Sequence, residues 1–206
     1  MRRHPERAAY DRTTIDAILD EGLVGHVGFV SDGEPYVMPM LYARLRDTLY
    51  LHGSPKSRLL GAAGHRAPVC FTVTLLDGLV LARSAFRHSL NYRSVVVLGR
   101  ARAVRDPDEK QLALRTLVDH VMSGRSDEVR GPSDPELKVT EVVALGLREA
   151  SAKARSGPPA DNPNDLSLPV WAGVLPLGLS VGEPVPEGRC QVPEPAGLRE
   201  YRRDRA

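Results

Sequence analysis

Near the start of the chain apolar residues recur every three or four positions, and from there on they change to short runs and alternations. Over residues 11–21, Ile15, Ile18 and Leu19 share one helical face; Thr13 or Thr14 can cap this helix and Gly22 ends it. Residues 23–30 read as a strand, and Ser31-Asp-Gly-Glu-Pro35 is strong turn chemistry. A second strand covers residues 36–42. Pro39 inside it marks an edge or a bulge, because proline has no N–H for the ladder. After a turn at Arg46-Asp47 comes a third strand, residues 48–53, and then a short helix over 55–63 with proline in its first turn. Residues 67–75 and 79–82 read as two strands separated by Asp77-Gly78. The clearest strand is 93–104, through Val95, Val96, Val97 and Leu98. Asp106-Pro-Asp-Glu109 opens a helix that runs to Met122, with Leu112, Leu117, Val118 and Val121 on its inner side. A last strand covers residues 139–147.

Short strands joined by tight turns, with helices between some of them, predict a mainly β fold with flanking helices: a barrel with its helices outside. The 206 residues suit one domain, expected over residues 1–182. From residue 156 the composition turns to Gly-Pro-Pro, Asn-Pro and then Leu168-Pro-Val-Trp-Ala-Gly-Val-Leu-Pro-Leu177. This reads as an ordered arm over 156–182, packed on something because it carries the only tryptophan, Trp171. Residues 183–206 are rich in Pro, Glu and Arg and read as a disordered tail.

Charge narrows the partners. With 28 basic and 26 acidic residues the net charge is +2, which gives no reason to invoke nucleic acid or an anionic membrane. Cys70 sits in an apolar run and Cys190 in the tail, with no C-x-x-C, as in a reducing compartment. No apolar segment follows Met1-Arg-Arg-His-Pro-Glu-Arg7, and no run approaches the ~18 apolar residues of a membrane span. The expected location is the cytoplasm.

Three places carry candidate chemistry. In Leu49-Tyr-Leu-His-Gly-Ser-Pro-Lys-Ser-Arg58 a strand gives way to a loop with glycine, serines, a lysine and an arginine, leading into a helix. Free N–H groups, hydroxyls and cations are what a phosphate needs; an ordinary capped helix with solvated charges has the same composition. Ser84-Ala-Phe-Arg-His-Ser-Leu-Asn-Tyr-Arg-Ser-Val95 crowds polar donors before an apolar strand, facing either solvent or a ligand or second subunit. His52 ends an apolar strand beside that cationic loop, either as a packing residue or lining a pocket, and nearby positive charge favours its neutral form. The other histidines lack metal-ligand spacing, and there is no G-x-S-x-G and no evident pair of carboxylates at strand ends. No metal site and no hydrolase follow.

Three blocks, Gly28-Phe-Val-Ser-Asp-Gly-Glu-Pro-Tyr-Val-Met-Pro-Met-Leu-Tyr42, Asp47-Thr-Leu-Tyr-Leu-His-Gly-Ser54 and Asn91-Tyr-Arg-Ser-Val-Val-Val-Leu-Gly-Arg-Ala-Arg102, occur in that order. Together with Lys153-Ala-Arg-Ser-Gly-Pro-Pro159 and Pro169-Val-Trp-Ala-Gly-Val-Leu-Pro176, they resemble the pyridoxamine 5′-phosphate oxidase-like flavin-nucleotide-binding proteins. The branch is the one that includes the nitroimidazole-resistance proteins, and the likeness spans residues 13–176. The resemblance implies an FMN-binding split β-barrel that works as a homodimer, each FMN cleft being built from both chains. By position, Pro39, Met40, Leu41 and Tyr42 would follow the edge of the flavin ring. Leu51, His52 and Gly53 would border it, and Lys56, Ser57 and Arg58 would hold the phosphate. Asn91, Tyr92 and Arg93 would lie near the dimer contact, Trp171 would close the cleft, and Lys153 and Arg155 are further anion contacts. His52 matches the histidine beside the ligand in that branch and is the expected catalytic residue.

The expected activity is an FMN-dependent oxidoreductase that passes electrons from a nicotinamide donor to a small oxidised substrate, a nitro compound or a quinone. Members of this superfamily also merely bind, and some take haem, FAD or a deazaflavin instead. The rival expectation is therefore a flavin or haem carrier or sensor, with His52 or His88 as axial ligand.

Overall fold

The computed structural model describes residues 5–64 and 66–201; the first four residues and the end of the expected tail, 202–206, lie outside the described residues. Helix α1 (Arg12–Glu21) buries Ile15, Ile18 and Leu19 as expected. Its cap is Asp11, not Thr13 or Thr14. Asp11 has the extended backbone a cap requires, and its carboxylate accepts from the Thr14 N–H at 2.8 Å, so both threonines fall inside the first turn. Gly22 ends the helix without a left-handed conformation. Space is what demands glycine there, since a Cβ would sit 2.6 Å from the Tyr42 hydroxyl.

The strands are β1 (Ala8–Ala9), β2 (Val24–Ser31), β3 (Glu34–Leu45), β4 (Thr48–Gly53), β5 (Pro68–Leu81), β6 (Ser89–Arg100), β7 (Arg102–Ala103), β8 (Glu141–Gly146), β9 (Glu149–Arg155) and β10 (Gly173–Pro176). They pair antiparallel in the order β1-β9-β6-β5-β2-β3-β4-β8-β7, with β10 laid against β5. Asp32 and Gly33, both at positive φ, make the two-residue β2–β3 turn. One strand changes partner part-way. β3 pairs with β2 from Glu34 to Leu41 and with β4 from Tyr42 to Leu45. Pro39 lies in the stretch that has a ladder on one side only, which is where a residue without an N–H is tolerated.

The expected break at Asp77-Gly78 is a bulge inside the single strand β5. Asp77 is held by Arg93, and a Cβ on Gly78 would come within 3.1 Å of the Leu175 carbonyl, so the arm packs against the bulge and pairing resumes beyond it. β6 likewise starts at Ser89 rather than residue 93; only Ala85–Arg87 of the expected polar loop forms a helical turn. The second helix, α2 (Arg58–Gly64), begins at Arg58 rather than at residue 55, because residues 54–57 close a tight turn through Ser57 N–H to Ser54 O at 2.9 Å.

One apolar cluster takes Val27, Tyr42, Leu51, Phe71, Val97 and Leu145 from six different strands. Helix α3 (Pro107–Val121) covers the other face of β4 and β8 over a second cluster, Tyr50, Val104, Ala113, Val142 and Ala144. Of the four residues expected on its inner side only Leu117 is buried; Leu112, Val118 and Val121 are 48%, 37% and 42% exposed. The apolar face of α3 is wider than the sheet beneath it. Its surplus looks towards two short helices, α4 (Arg125–Glu128) and α5 (Asp134–Lys138), which periodicity did not reveal. Among the described residues no helix is long and apolar enough to cross a membrane.

The arm leaves β9 through a polar latch. Asn91, buried, donates to Gly157 O at 3.1 Å, and Arg155 reaches Asn91 and, at 3.0 Å, Pro158 O. Asp161 then accepts from the Arg83 N–H at 3.0 Å and its guanidinium at 2.7 Å before β10 rejoins the sheet. Residues 183–195 hold no strand or helix, and a 3-10 turn follows at Ala196–Leu198.

Close approach inside the barrel yields a direct test. A Cβ on Gly25 would drive into the Phe71 ring, which is fully buried, whereas a Cβ on Gly146 meets nothing within 4 Å. Gly25→Ala is expected to cost about 1–3 kcal/mol in urea denaturation, and Gly146→Ala less than about 1 kcal/mol.

Candidate functional site

Alternation along β4 sets up the site. Leu49 and Leu51 enter the main core, so Tyr50 and His52 emerge on the opposite face, under α3. Across the ladder Tyr50 pairs with Ala144 and His52 with Val142. The Tyr50 hydroxyl donates to Glu109 at 3.0 Å, tying the first turn of α3 to the strand. His52 lies one step further on, beyond that tie. It lines a cavity of about 1020 Å³ with Leu41, Leu112, Val118, Val121 and Val129. Its Nδ1 is buried and, among the described residues, has no hydrogen-bond partner. Burial also pulls the His52 pKa below its ordinary 6.5, which leaves the ring neutral at pH 7.

The strand runs directly from His52 into the cationic loop. Ser54 accepts from the Lys56 N–H at 3.2 Å and Gly61 N–H bonds Ser57 O at 2.9 Å, while Lys56 and Arg58 are exposed. The guanidinium of Arg58 lies 5.4 Å from the centre of the Tyr36 ring and donates to its hydroxyl at 3.0 Å. Tyr36 in turn stacks on Phe29 with ring centres 5.5 Å apart. Tyr36 thus holds Arg58 in place, a role no local pattern announces because the two are brought together only where α2 packs on the β2–β3 pair.

The structure sorts the remaining candidates into groups. Pro39 is exposed on the one-sided stretch of β3, Met40 packs partly on the core, and Leu41 joins His52 at the cavity. Tyr42 and Leu51 are core residues: the Tyr42 hydroxyl donates to Leu19 O at 2.6 Å, and Leu51 has ladder partners on both sides, so neither turns its side chain to a ligand. Gly53 is glycine for room, a Cβ there being 3.0 Å from Leu60. Asn91 belongs to the arm latch, and Tyr92 is half-buried opposite Arg155. Arg93 is clamped between Glu21 at 2.8 Å and Asp77 at 3.0 Å, which holds its pKa above the ordinary value. It borders a second cavity of about 1000 Å³ between α1, the end of α3 and the segment containing Gly197 and Tyr201. Trp171 is 67% exposed on the arm, over Gly173. Lys153 lies in β9 opposite Ser94, whose hydroxyl donates to its carbonyl at 3.2 Å. His88 sits away from both cavities, its Nδ1 3.0 Å from Ser84 O. Among the described residues no three His, Cys, Asp or Glu side chains gather as a metal cluster.

A mainly antiparallel sheet whose third strand changes partner, with a cationic loop at the strand end, is the split-barrel architecture of a flavin-nucleotide-binding class. The family model for pyridoxamine 5′-phosphate oxidase matches residues 11–154, and the chain belongs to that family. Among solved structures it is similar to the flavocytochrome Anf3 from Azotobacter vinelandii, with 41% identity over 98% of this chain and 95% of that one and a TM-score of 0.92. The FAD and haem binding protein from Mycobacterium smegmatis is 34% identical over 94% of this chain and 96% of that one, with a TM-score of 0.89. A candidate 5-nitroimidazole resistance protein from Bacteroides thetaiotaomicron is 25% identical over 71% of this chain and 85% of that one, with a TM-score of 0.61. Among curated proteins none matches.

The burial of His52 has a consequence for pH. Its depressed folded-state pKa means the unfolded chain takes up the proton first, so the cost to the fold begins as pH drops below about 6.5 and stops growing below the folded value. Urea denaturation at pH 7.5 and 5 is expected to show a larger loss of stability for the parent than for His52→Gln. Equal losses would mean that His52 protonates freely in the folded protein.

Proposed function

We propose that this protein is a redox protein that holds a flavin nucleotide at the loop after β4 and a haem in the cavity beneath α3. The observation that carries the reading is the cavity itself: apolar along its inner wall, ample for a porphyrin, and supplied by His52 with a buried ring nitrogen that has no partner among the described residues. An iron ligand must be a neutral imidazole, and burial keeps His52 in that form. The same lowered pKa favours the ligand role over the proton-donor role for His52. Between the two histidines considered as axial ligands, His88 has no such cavity around it.

For the flavin, Ser54, Lys56, Ser57 and Arg58 would hold phosphate through hydroxyl, N–H and charge-assisted contacts, with Tyr36 fixing the arginine. The sequence resemblance points to FMN. The similarity to a protein described as binding FAD and haem supports the dinucleotide here. When bound, the flavin supplies hydride and electron chemistry and the haem iron one-electron chemistry. The chain's own part is to hold both groups at one strand end, two residues apart between His52 and Ser54. The electron donor we propose is a nicotinamide nucleotide and the acceptor a small oxidised molecule.

We further propose a homodimer. Val37, Gly28, Cys70 and Leu98 form one row across β3, β2, β5 and β6, and Val37 and Leu98 are 65% and 50% exposed, apolar area that a second copy would cover. Cys70 and Cys190 are free thiols, in keeping with a cytoplasmic setting.

The absorption spectrum of the purified protein titrated with haemin and FAD tests the reading. Flavin bands and a Soret band are expected together. His52→Ala is expected to keep the flavin and lose or shift the Soret band, His88→Ala to change neither, and Arg58→Ala to weaken flavin binding at least about tenfold. A parent that takes up no haem removes the flavocytochrome reading, and one that takes up no flavin removes the whole proposal. Light scattering is expected to give a dimer mass at micromolar concentration; a monomer contradicts the shared interface.

A further inference from the structure

The cavity is lined asymmetrically. Its inner wall is His52 with Leu41, Leu112 and Val118, whereas three arginines stand on the elements that close it: Arg115 on α3, Arg125 on α4 and Arg130 in the turn before α5. Each of these arginines holds a carboxylate from the α4–α5 segment. Arg115 pairs with Asp127, Arg125 with Glu128 and Arg130 with Glu136 at 2.8 Å. None of the pairs is buried: the arginine side chains are 57%, 41% and 69% exposed. Exposed ion pairs contribute little to a fold, so their arginines exchange partners at small cost. Glu136 is also satisfied without Arg130, since it accepts from the Ser133 N–H at 2.7 Å and the Ser133 hydroxyl at 2.9 Å in a capping box. The Arg125–Glu128 pair, by contrast, closes within one helical turn and does not join one wall of the cavity to another.

An apolar wall beneath a rim of exposed arginine–carboxylate pairs selects an amphipathic ligand: a flat apolar body whose own carboxylates, at one edge, take the place of the paired acids. We infer that Arg115 and Arg130 are the carboxylate anchors of this cavity, releasing Asp127 and Glu136 to grip the ligand's acid groups while its body lies against α3 and His52. The inference rests on the haem reading above and goes beyond it by assigning recognition of the propionates, and the orientation of the porphyrin edge, to two residues. It also gives the α4–α5 segment a role: its acids hold the arginines extended over the rim until the ligand replaces them.

A chemical cycle tests this without recourse to activity. The parent, Arg115→Ala/Arg130→Ala and the control Arg105→Ala, which lies outside the cavity lining, are each titrated with haemin and with its dimethyl ester, followed by the Soret band. For haemin the double variant is expected to lose about a hundredfold in affinity, roughly tenfold per arginine. For the ester, which has no carboxylates to grip, parent and variant are expected to bind alike. Added salt is expected to weaken haemin binding by the parent more than by the variant. An equal loss for both ligands would make the arginines packing residues, and no loss for either would place the acid groups elsewhere; either outcome overturns the assignment. Should the double variant misfold, Arg115→Lys and Arg130→Lys keep the charge, and each is expected to discriminate acid from ester less than the parent; unchanged discrimination overturns the assignment too. A parent that binds neither ligand overturns the haem reading itself, a result distinct from all of these.

Discussion

Between Leu41 and Tyr42 the third strand exchanges one neighbour for another. Up to Leu41 it pairs with β2; from Tyr42 it pairs with β4. A sheet can open in this way only if the strand is anchored where it turns, and the anchor is Tyr42. Its side chain is fully buried, its hydroxyl donates to Leu19 O at 2.6 Å, and its ring packs edge-on to Phe71 with centres 4.9 Å apart. Helix α1, the opened strand and the central strand β5 therefore meet at one residue. Gly22 and Gly25 exist to let them approach so closely, since a side chain at either would collide with Tyr42 or Phe71. The opening leaves residues 34–41 with one backbone edge unpaired and sets the end of β4 beside it, so that Leu41 and His52 reach the same cavity.

Electrostatics divides the molecule into fixed and exchangeable charges. Arg93 is shared by Glu21 and Asp77, and Arg83 with Asp161 pins the arm; these pairs are partly buried and join distant segments. Removing one partner there would leave a desolvated charge behind. The pairs around the α4–α5 segment are exposed, and their charges are free to take other partners. The contrast fits the proposed division of labour, in which the barrel is rigid and the rim of the cavity responds to its ligand.

Much of this was legible in the sequence where a local rule acts. Apolar periodicity marks α1, β2, β3 and β4, and Pro39 announces an open edge because a missing N–H is a local fact. Strand β9, Glu-Ala-Ser-Ala-Lys-Ala-Arg, contains no β-branched residue and is a strand because β6 on one side and the short β1 on the other pair with it. Asp77-Gly78 has turn composition, yet the clamp on Asp77 and the arm packed over Gly78 make it a bulge. At the site, the phosphate-like loop and His52 stand out by composition. Tyr36 and the arginines of the rim do not, because each gains its meaning from a partner brought to it by the fold. The face of α3 misled for the same reason: its apolar residues are real, but three of the four, Leu112, Val118 and Val121, line a cavity and leave only Leu117 in the core.

The central claim is that the end of β4 presents His52 to a metal-bearing group in the cavity beneath α3. Anomalous diffraction at the iron edge, from crystals grown with haemin, tests this most directly. The account predicts a single iron peak at coordination distance from the His52 imidazole, on the α3 side of β4. Iron beside His88 or His120, or no ordered iron in a crystal whose spectrum shows bound haem, would contradict it.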